Sequence, residues 1–525
     1  MAPSTEVPTR SRHVQPFLLL ACFTIGACGS ARLPNPSGAA FDQAGWAVAI
    51  DGNWAIDGVP RSDTIGSNAG KGLIYHRSGK SWPLQATITS ATPVTNADFG
   101  WSVDISGDRV VVGAFGDVTT GFISGAAYIF ERSGDVWTQA ARLVVDSIGE
   151  SGFGSAVAIS GDYAVVGAPY PPPPTFTGPG VAWVYRRNAA NGQWNLDALL
   201  EASDAIDFIE FGTAVDIDGD VIVVGAKKGV VGNTIGGAAY VFRRQGSTWK
   251  EEAKLVASDP AYHDFFGSAV AISGNRIVVG AKEEDAKGDA AGAAYVFVGD
   301  TNSGEWAESQ KLTADDGDDD HNFGYSVSID DGRILIGAWL ADGSVNTTGA
   351  AYHFRTEGNA WAQERKLMLS NGEYGDGYGN SVSISGACGI VGAVNRDIND
   401  VEKVGAAYRY CNLPGPIPAE VELDIICCFQ PPDPAGPVIV TTRIVNAGEG
   451  RVIGRRWIES VAPDGTAEVV VGPEAITLGA GEAREERHVF RRPGGAAAAL
   501  PVLRLRWEDS NGIRTVQARS QPTRG

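Results

Sequence analysis

Hydrophobic and polar positions repeat along this chain in a fixed order. Ser268-Ala269-Val270-Ala271-Ile272 alternates as a half-buried strand does. Ser273-Gly274-Asn275 has the composition of a tight turn. Arg276-Ile277-Val278-Val279-Gly280-Ala281 then predicts a strand buried on both faces, Gly292 to Phe297 a third strand, and Trp306 to Leu312 a fourth. An aromatic-Gly pair opens each copy of this unit: Phe99-Gly100, Phe153-Gly154, Phe211-Gly212, Phe266-Gly267, Phe323-Gly324 and Tyr378-Gly379, with Ala44-Gly45 opening a degenerate first copy. Successive copies lie 54 to 58 residues apart. Seven units of four short strands, with no helical period in any, predict an all-β, seven-bladed β-propeller. A solenoid is the alternative, disfavoured because seven such sheets close into a ring.

The fourth strand has its own signature. Trp137 to Leu143, Trp194 to Leu200, Trp249 to Leu255, Trp306 to Leu312 and Trp361 to Leu367 share one spacing, and Trp82 to Ile88 matches it. The seventh unit lacks this strand after Tyr408-Arg409-Tyr410-Cys411. Ala31-Arg32-Leu33 resembles Ala141-Arg142-Leu143 and lies at the right distance before Ala44. The N-terminal segment is therefore expected to supply the outer strand of blade seven, which would remove an exposed sheet edge.

These motifs resemble FG-GAP repeats, the unit of the integrin α-subunit head propeller, and especially their bacterial relatives. The aromatic-Gly pairs carry the resemblance. So do the Gly-Ala pairs at 113, 167, 225, 280, 337 and 392 and the Gly-Ala-Ala-Tyr quartets starting at 125, 237, 292, 349 and 405. It covers about residues 31–411. A residue that recurs in every blade is expected to pack the blade, so the repeated Phe and Tyr are read as fillers between blades. Integrin-type calcium loops are not carried over: turns such as Ser106-Gly107-Asp108 and Asp218-Gly219-Asp220 are too short to wrap an ion that takes six to eight oxygens. Their Asp residues are read as turn formers.

Composition sharpens this picture. Glycine makes up 68 of 525 residues, close to double the usual share of about 7%. The formal charge is −20 and falls on residues 28–411, which argues against nucleic-acid binding because phosphate contacts need clustered Lys and Arg. Residues 1–27 read as a signal peptide, with Arg10 and Arg12 ahead of the apolar run Phe17–Ile25. Ile25-Gly26-Ala27-Cys28 resembles a lipobox, so Cys28 is the expected lipidation site; Gly29 after it favours the outer membrane, and secretion after simple cleavage is the alternative. No later stretch is apolar for long enough to span a membrane. Export makes disulfides available. Cys388 starts the second strand of blade seven and Cys411 ends the third, so antiparallel pairing would bring them together; Cys427 and Cys428 would then form a vicinal pair or remain thiols. Residues 412–419 form a Pro-rich linker. Alternating runs in 420–525 suggest a small β-sandwich, with a weak resemblance to bacterial immunoglobulin-like domains.

Strand alternation places the second-to-third loops and the connections between blades on one face. This face has the length, variety and charge expected of a binding surface. Its acidic residues include Asp204, Asp207, Asp259, Asp264, Glu283, Glu284 and Asp285. Asp315, Asp316, Asp318, Asp319 and Asp320, beside His321, are the candidate Ca²⁺ ligands, against the plainer reading of a solvated acidic rim. Tyr170-Pro171-Pro172-Pro173-Pro174-Thr175-Phe176 is an insertion on the same face, a partner contact or a rigid spacer. No nucleophile, base or metal motif of a known enzyme class is present. The expected function is that of an exported, non-enzymatic binding or adhesion-type protein with a protein or glycan partner. A propeller enzyme acting on polysaccharide and a purely structural envelope lipoprotein are the alternatives.

Overall fold

The computed structural model describes residues 31–411 and 413, apart from 120–121, 146–151, 171–176, 233, 301–303 and 358–359; beyond them it describes the backbone of seven strands between 421 and 518. Seven four-stranded antiparallel sheets follow one another along residues 31–411. Blade one holds strands Ala47–Asp51, Trp54–Val59, Lys71–His76 and Leu84–Ile88. Blade four, a regular copy, holds Phe211–Asp218, Val221–Ala226, Ala238–Gln245 and Thr248–Leu255. The first strand of every blade packs against the first strands of both neighbours, and that of blade one meets that of blade seven, so these strands form a closed inner ring. No helix occurs among the described residues.

The N-terminal segment closes the ring. Ala31–Arg32 is the outer strand of blade seven, pairing with Arg409 and Tyr408, and the Leu33 amide extends the ladder to the Ala407 carbonyl at 2.8 Å. A disulfide joins Cys388 to Cys411, which face each other across the second and third strands of the same blade.

The recurring glycines have a packing explanation. A Cβ on Gly113 would lie 2.1 Å from the carbonyl oxygen of Gly154 in the next blade. The same approach, at 2.0–2.1 Å, recurs at all seven interfaces: Gly58 on Gly100, Gly167 on Gly212, Gly225 on Gly267, Gly280 on Gly324, Gly337 on Gly379 and Gly392 on Gly45. The Gly of each Gly-Ala pair thus lets one blade's second strand touch the bulged start of the next blade. The aromatic of the aromatic-Gly pair sits beside that contact, wholly buried. Phe211 lies 5.5 Å from Tyr240 and 6.1 Å from Phe242, within a core that includes Val165 and Val184 of blade three.

Side chains at the end of six of the seven first strands lace the inner ring. The Gly107 amide donates to Asp51 Oδ2 at 2.7 Å, Gly161 to Ser106 Oγ at 3.3 Å, Gly219 to Ser160 Oγ at 3.1 Å, Gly274 to Asp218 Oδ2 at 2.7 Å and Gly52 to Ser385 Oγ at 3.0 Å. Gly386 donates to Asp330 in the same way. These turn residues therefore do more than form turns: each accepts the exposed amide of the next blade's turn. Two residues earlier, Asp104 accepts from Ile159 at 2.7 Å and Asp216 from Ile272 at 2.7 Å. Ser328 and Ser383 do the same for Ile384 and Ile50, each at 3.1 Å. Burial, then the charge of Asp216, pushes Asp104 up to about 8; burial pushes Asp216 up to about 6.

Residues 421–518 contain a three-stranded sheet, with Val438–Asn446 between Val421–Phe429 and Ala483–Phe490, and a four-stranded sheet ordered Ala467–Leu478, Val452–Val461, Val502–Asp509 and Gly512–Ala518. Both are antiparallel. Residues 1–30, where a signal peptide and the lipidation site Cys28 were expected, residues 414–419 of the expected linker and the polyproline run 171–176 lie outside the described residues.

Candidate functional site

The loop face is built by a repeated exchange between blades. Each connection into a blade runs parallel to the second-to-third loop of the blade before it, with bridges Gly70 to Phe99, Gly125 to Phe153, Gly237 to Phe266, Gly292 to Phe323 and Gly349 to Tyr378. Amides three residues before the aromatic also reach back: Asn96 to Ser67 at 2.9 Å, Phe208 to Gly178 at 2.8 Å, His263 to Ile235 at 2.9 Å and Asp320 to Asp289 at 2.7 Å. This docking forces left-handed backbone at that position, with φ of 63° at Phe41, 59° at Asn96, 68° at Phe208, 70° at His263 and 60° at Asp320. Asn and Asp tolerate this region; Phe and His adopt it at a cost of about 1–2 kcal/mol.

Exposed apolar side chains crowd onto this face. Tyr374 is 80% exposed, Tyr262 65%, Phe208 55% and Phe41 52%. Ile65, Val118, Tyr170, Ile206, Val345, Met368 and Val401 join them, whereas Val136, Leu196 and Leu199 are the large apolar residues exposed elsewhere among the described residues. Of these three, Val136 closes the short third-to-fourth turn of blade two on the opposite face, and Leu196 and Leu199 lie on the outer strand of blade three. A line of rings crosses the sector of blades five and six. His263 stacks on Tyr262 at 3.8 Å and on Phe265 at 5.3 Å. Lys282 lies 5.5 Å from the Phe265 ring and 5.8 Å from the Tyr325 ring, which is 5.3 Å from Trp339. A second cluster, in blades one and two, joins Trp46 to Trp101 at 4.5 Å and Trp101 to Phe115 at 5.0 Å. In blade four, a hollow of about 410 Å³ has walls of Ile206, Ile209, Val230, Val231 and Val256.

The acidic residues divide into structural and free groups. Asp204 sits under that hollow, accepting from Tyr240 at 2.7 Å and from Lys254 at 2.6 Å. Asp259 repeats the arrangement with Tyr295 at 2.8 Å and Lys311 at 2.7 Å, and Asp316 pairs with Lys366 at 2.6 Å. Burial raises these three carboxyls, but the lysine and tyrosine hydrogen bonds outweigh it and hold all three below the usual range. In blades four and five the Tyr of the Gly-Ala-Ala-Tyr quartet thus joins a half-exposed Asp–Lys pair. Glu284 is also paired, with Lys311 at 2.7 Å, and Glu283 with Lys282 at 2.8 Å. Asp264 is buried and accepts from the Ala261 amide at 2.7 Å; burial raises its carboxyl.

Asp207 and Asp285 are exposed, Asp285 accepting from the Ala290 amide at 2.9 Å. Asp315, Asp318, Asp319 and Asp320 are exposed as well. Their interactions are separate: the Asp315 amide reaches Gln363 at 3.1 Å, the Asp318 amide reaches His321 Nδ1 at 3.2 Å, and Asp319 accepts from the Asp289 amide at 2.9 Å. Among the described residues, no three of His, Cys, Asp and Glu gather as a set that could hold a metal ion. The run Asp315–Asp320 lies exposed on this face, with Asp316 paired to Lys366.

Sequence reasoning missed the aromatic line and the Asp–Lys pairs. The pairs had a signal: an acid stands four residues after the fourth-strand leucine in Leu200/Asp204, Leu255/Asp259 and Leu312/Asp316, with lysine just before the leucine in the partner strands Lys254-Leu255, Lys311-Leu312 and Lys366-Leu367.

Fold and face together define a seven-bladed propeller with one loop-bearing surface. Residues 82–130, 137–185, 194–242, 249–297, 306–354 and 361–410 match the FG-GAP repeat, and the chain belongs to that family. Each matched repeat begins on the fourth strand of one blade and ends on the third strand of the next, an offset that leaves blade seven to be completed by the N-terminal strand. No curated protein matches the chain. Among solved structures it is similar to Sqt1 of Saccharomyces cerevisiae, at 12% identity and a TM-score of 0.39 over 76% of this chain and 93% of that one; a likeness at that level carries no functional argument.

Proposed function

We propose that this is an exported, envelope-held binding protein that presents the loop face of its propeller to a protein or glycan and performs no catalysis. The one-sided distribution of exposed aromatic and aliphatic side chains carries this reading. Large apolar patches on a folded surface are retained where they meet a partner, and Phe41, Phe208 and His263 occupy strained positions that Asn96 and Asp320 fill at lower cost. The backbone exchange itself does not call for an aromatic, because Asn96, Asp320 and Gly375 make it equally well. Rigid aromatics of this kind supply the central contacts of protein interfaces and stack on sugar rings. The signal-like segment and Cys28 support export and a lipid anchor.

The test is a screen of the purified chain against protein and glycan arrays. Binding that falls at least tenfold in Phe208→Ser or Tyr262→Ser, but persists in Leu196→Ser outside the loop face, is the expected result. Binding unaffected by the loop-face changes would move the site elsewhere. Absence of any ligand, or polysaccharide turnover by the wild-type protein, would overturn the reading.

A further inference from the structure

Blade one departs from the repeat at two buried positions. Lys71 stands where the other blades have Ala126, Val181, Ala238, Ala293, Ala350 and Ala406. Asp57 stands where they have Val112, Val166, Val224, Val279, Ile336 and Val391. The propeller therefore folds six times without either charge. Lys71 has no exposed side-chain surface, and its Nζ lies 3.2 Å from Oδ2 of Asp42, whose side chain is 3% exposed. Asp42 belongs to the strap that runs from the N-terminal strand into blade one. Lys71 is held in place by Ser37 O and Oγ, each at 3.3 Å, and by Thr64 Oγ1 at 3.4 Å. Asp57 is 1% exposed. Val59 pairs with Lys71 across the sheet, which puts Asp57, two residues before Val59, on the same face as Lys71. Beside them lies the apolar closure core of Leu33, Val48, Val59, Leu73, Tyr75 and Trp82.

We propose that Lys71 and Asp42 become joined by an isopeptide bond between Nζ and Cγ. A buried amine and a buried carboxyl in contact are held as an intramolecular pair, with the effective concentration that such positioning gives. Condensation takes the amine as the free base and the acid in its protonated form, so the step begins with one proton passing from the ammonium to the carboxylate it touches. The amine attacks Cγ, the N–C bond forms, one C–O bond breaks and one water leaves. Nothing is oxidised or reduced. Asp57 supplies a nearby acid: burial pushes it up to about 7, against the pull of the Gly45 amide and of Lys71, so a share of it carries a proton at neutral pH. A hollow of about 160 Å³, lined by Asn35 and Asp57 among others, has room for the released water.

The experiment is a tryptic digest of the folded, purified full chain, followed by mass spectrometry. The bond blocks cleavage after Lys71 and joins peptide 33–61 to peptide 62–77 in one branched species, one water lighter than the two together. Asp42→Ala and Lys71→Ala, the latter restoring the residue of other blades, should abolish that species. Asp57→Val, also a residue of the repeat, should reduce it at least tenfold at a fixed time after refolding. Complete cleavage after Lys71 in the wild-type protein, with the two peptides separate, would mean a plain ion pair and overturn the proposal. An undiminished branched species in Asp57→Val would overturn the part given to Asp57.

Discussion

Replacing Gly225 by alanine tests whether close backbone approach sets the spacing of the blades. The added Cβ would lie 2.1 Å from the Gly267 carbonyl oxygen and 3.1 Å from its carbon. Carbon and oxygen in contact need about 3.2 Å, so blades four and five would have to separate locally by about 1 Å. The obstructing atom is backbone, pinned by the inner lacing, so no side chain can swing aside. Overfilling a packed core costs about 1–3 kcal/mol even where side chains give way. A gap of that width also forfeits a quarter to a half of each dispersion contact along the seam. Together these give a loss of about 3 kcal/mol or more. Gly219→Ala is the control: its Cβ meets nothing within 4 Å, but its φ is +56°, so only the left-handed backbone is penalised, at about 1 kcal/mol. Urea unfolding of both variants, compared with wild type at constant slope, measures the difference. A Gly225→Ala protein as stable as Gly219→Ala, or more so, would refute the idea that glycine-on-glycine contact sets the spacing of the ring.

Reduction, or Cys388→Ser with Cys411→Ser, should destabilise the propeller by about 3 kcal/mol, the loop-entropy value for a bridge with a sequence separation of 23; an unchanged melting temperature with and without reductant would contradict this. His353 is fully buried, neither ring nitrogen has a partner, and burial, followed by the charges of Arg333, Arg365 and Arg355, lowers it to about 4. Because its folded value lies below its unfolded one, stability is lost as pH falls from about 6.5 towards 4, by up to about 3 kcal/mol. His353→Val, the residue type of blades four and five, should remove that loss in melts taken across the range, and an identical profile would refute it. Asp104 has the opposite sign: its folded value is raised to about 8, so its contribution is full below about pH 4 and lost as pH rises towards 8. Asp104→Ser, the residue used in blades six and seven, should flatten that decline by at least about 1 kcal/mol; a variant that declines as steeply as wild type would show that Asp104 is not its source.

The propeller was legible because its physics is periodic. Strand order, turn positions, the borrowed outer strand of blade seven and the facing positions of Cys388 and Cys411 all follow from spacing that recurs. The single departures were harder to read. Lys71 and Asp57 lie in the degenerate first unit, and a lone lysine or aspartate in a sequence resembles any surface charge until the neighbouring strap covers it. Asp204 and Asp259 were read as acids of the binding face and Asp316 as a candidate Ca²⁺ ligand, although their regular place after the fourth-strand leucine also sets each beside the lysine that pairs with it. Asp218 and Asp330 were read as turn formers: that reading explains why they are polar, but not why Asp or Ser, and never Asn or Gly, stands at the same place in every blade. The aromatic line through Tyr262, His263, Phe265, Tyr325 and Trp339 draws on three segments, and no local pattern unites them.

The borrowed strand also gives the molecule a means of proofreading its own synthesis. Ala31, among the first described residues to leave the ribosome, finds its ladder partner only when Arg409 has been made. Until then both blade seven and the amino-terminal segment keep raw hydrogen-bonding edges, and closing so long a loop is slow. A chain that stops short anywhere in the last blade can never hide those edges. Completeness of translation is thereby converted into a surface property, and a truncated product remains open to proteases and to pairing with other unfinished chains.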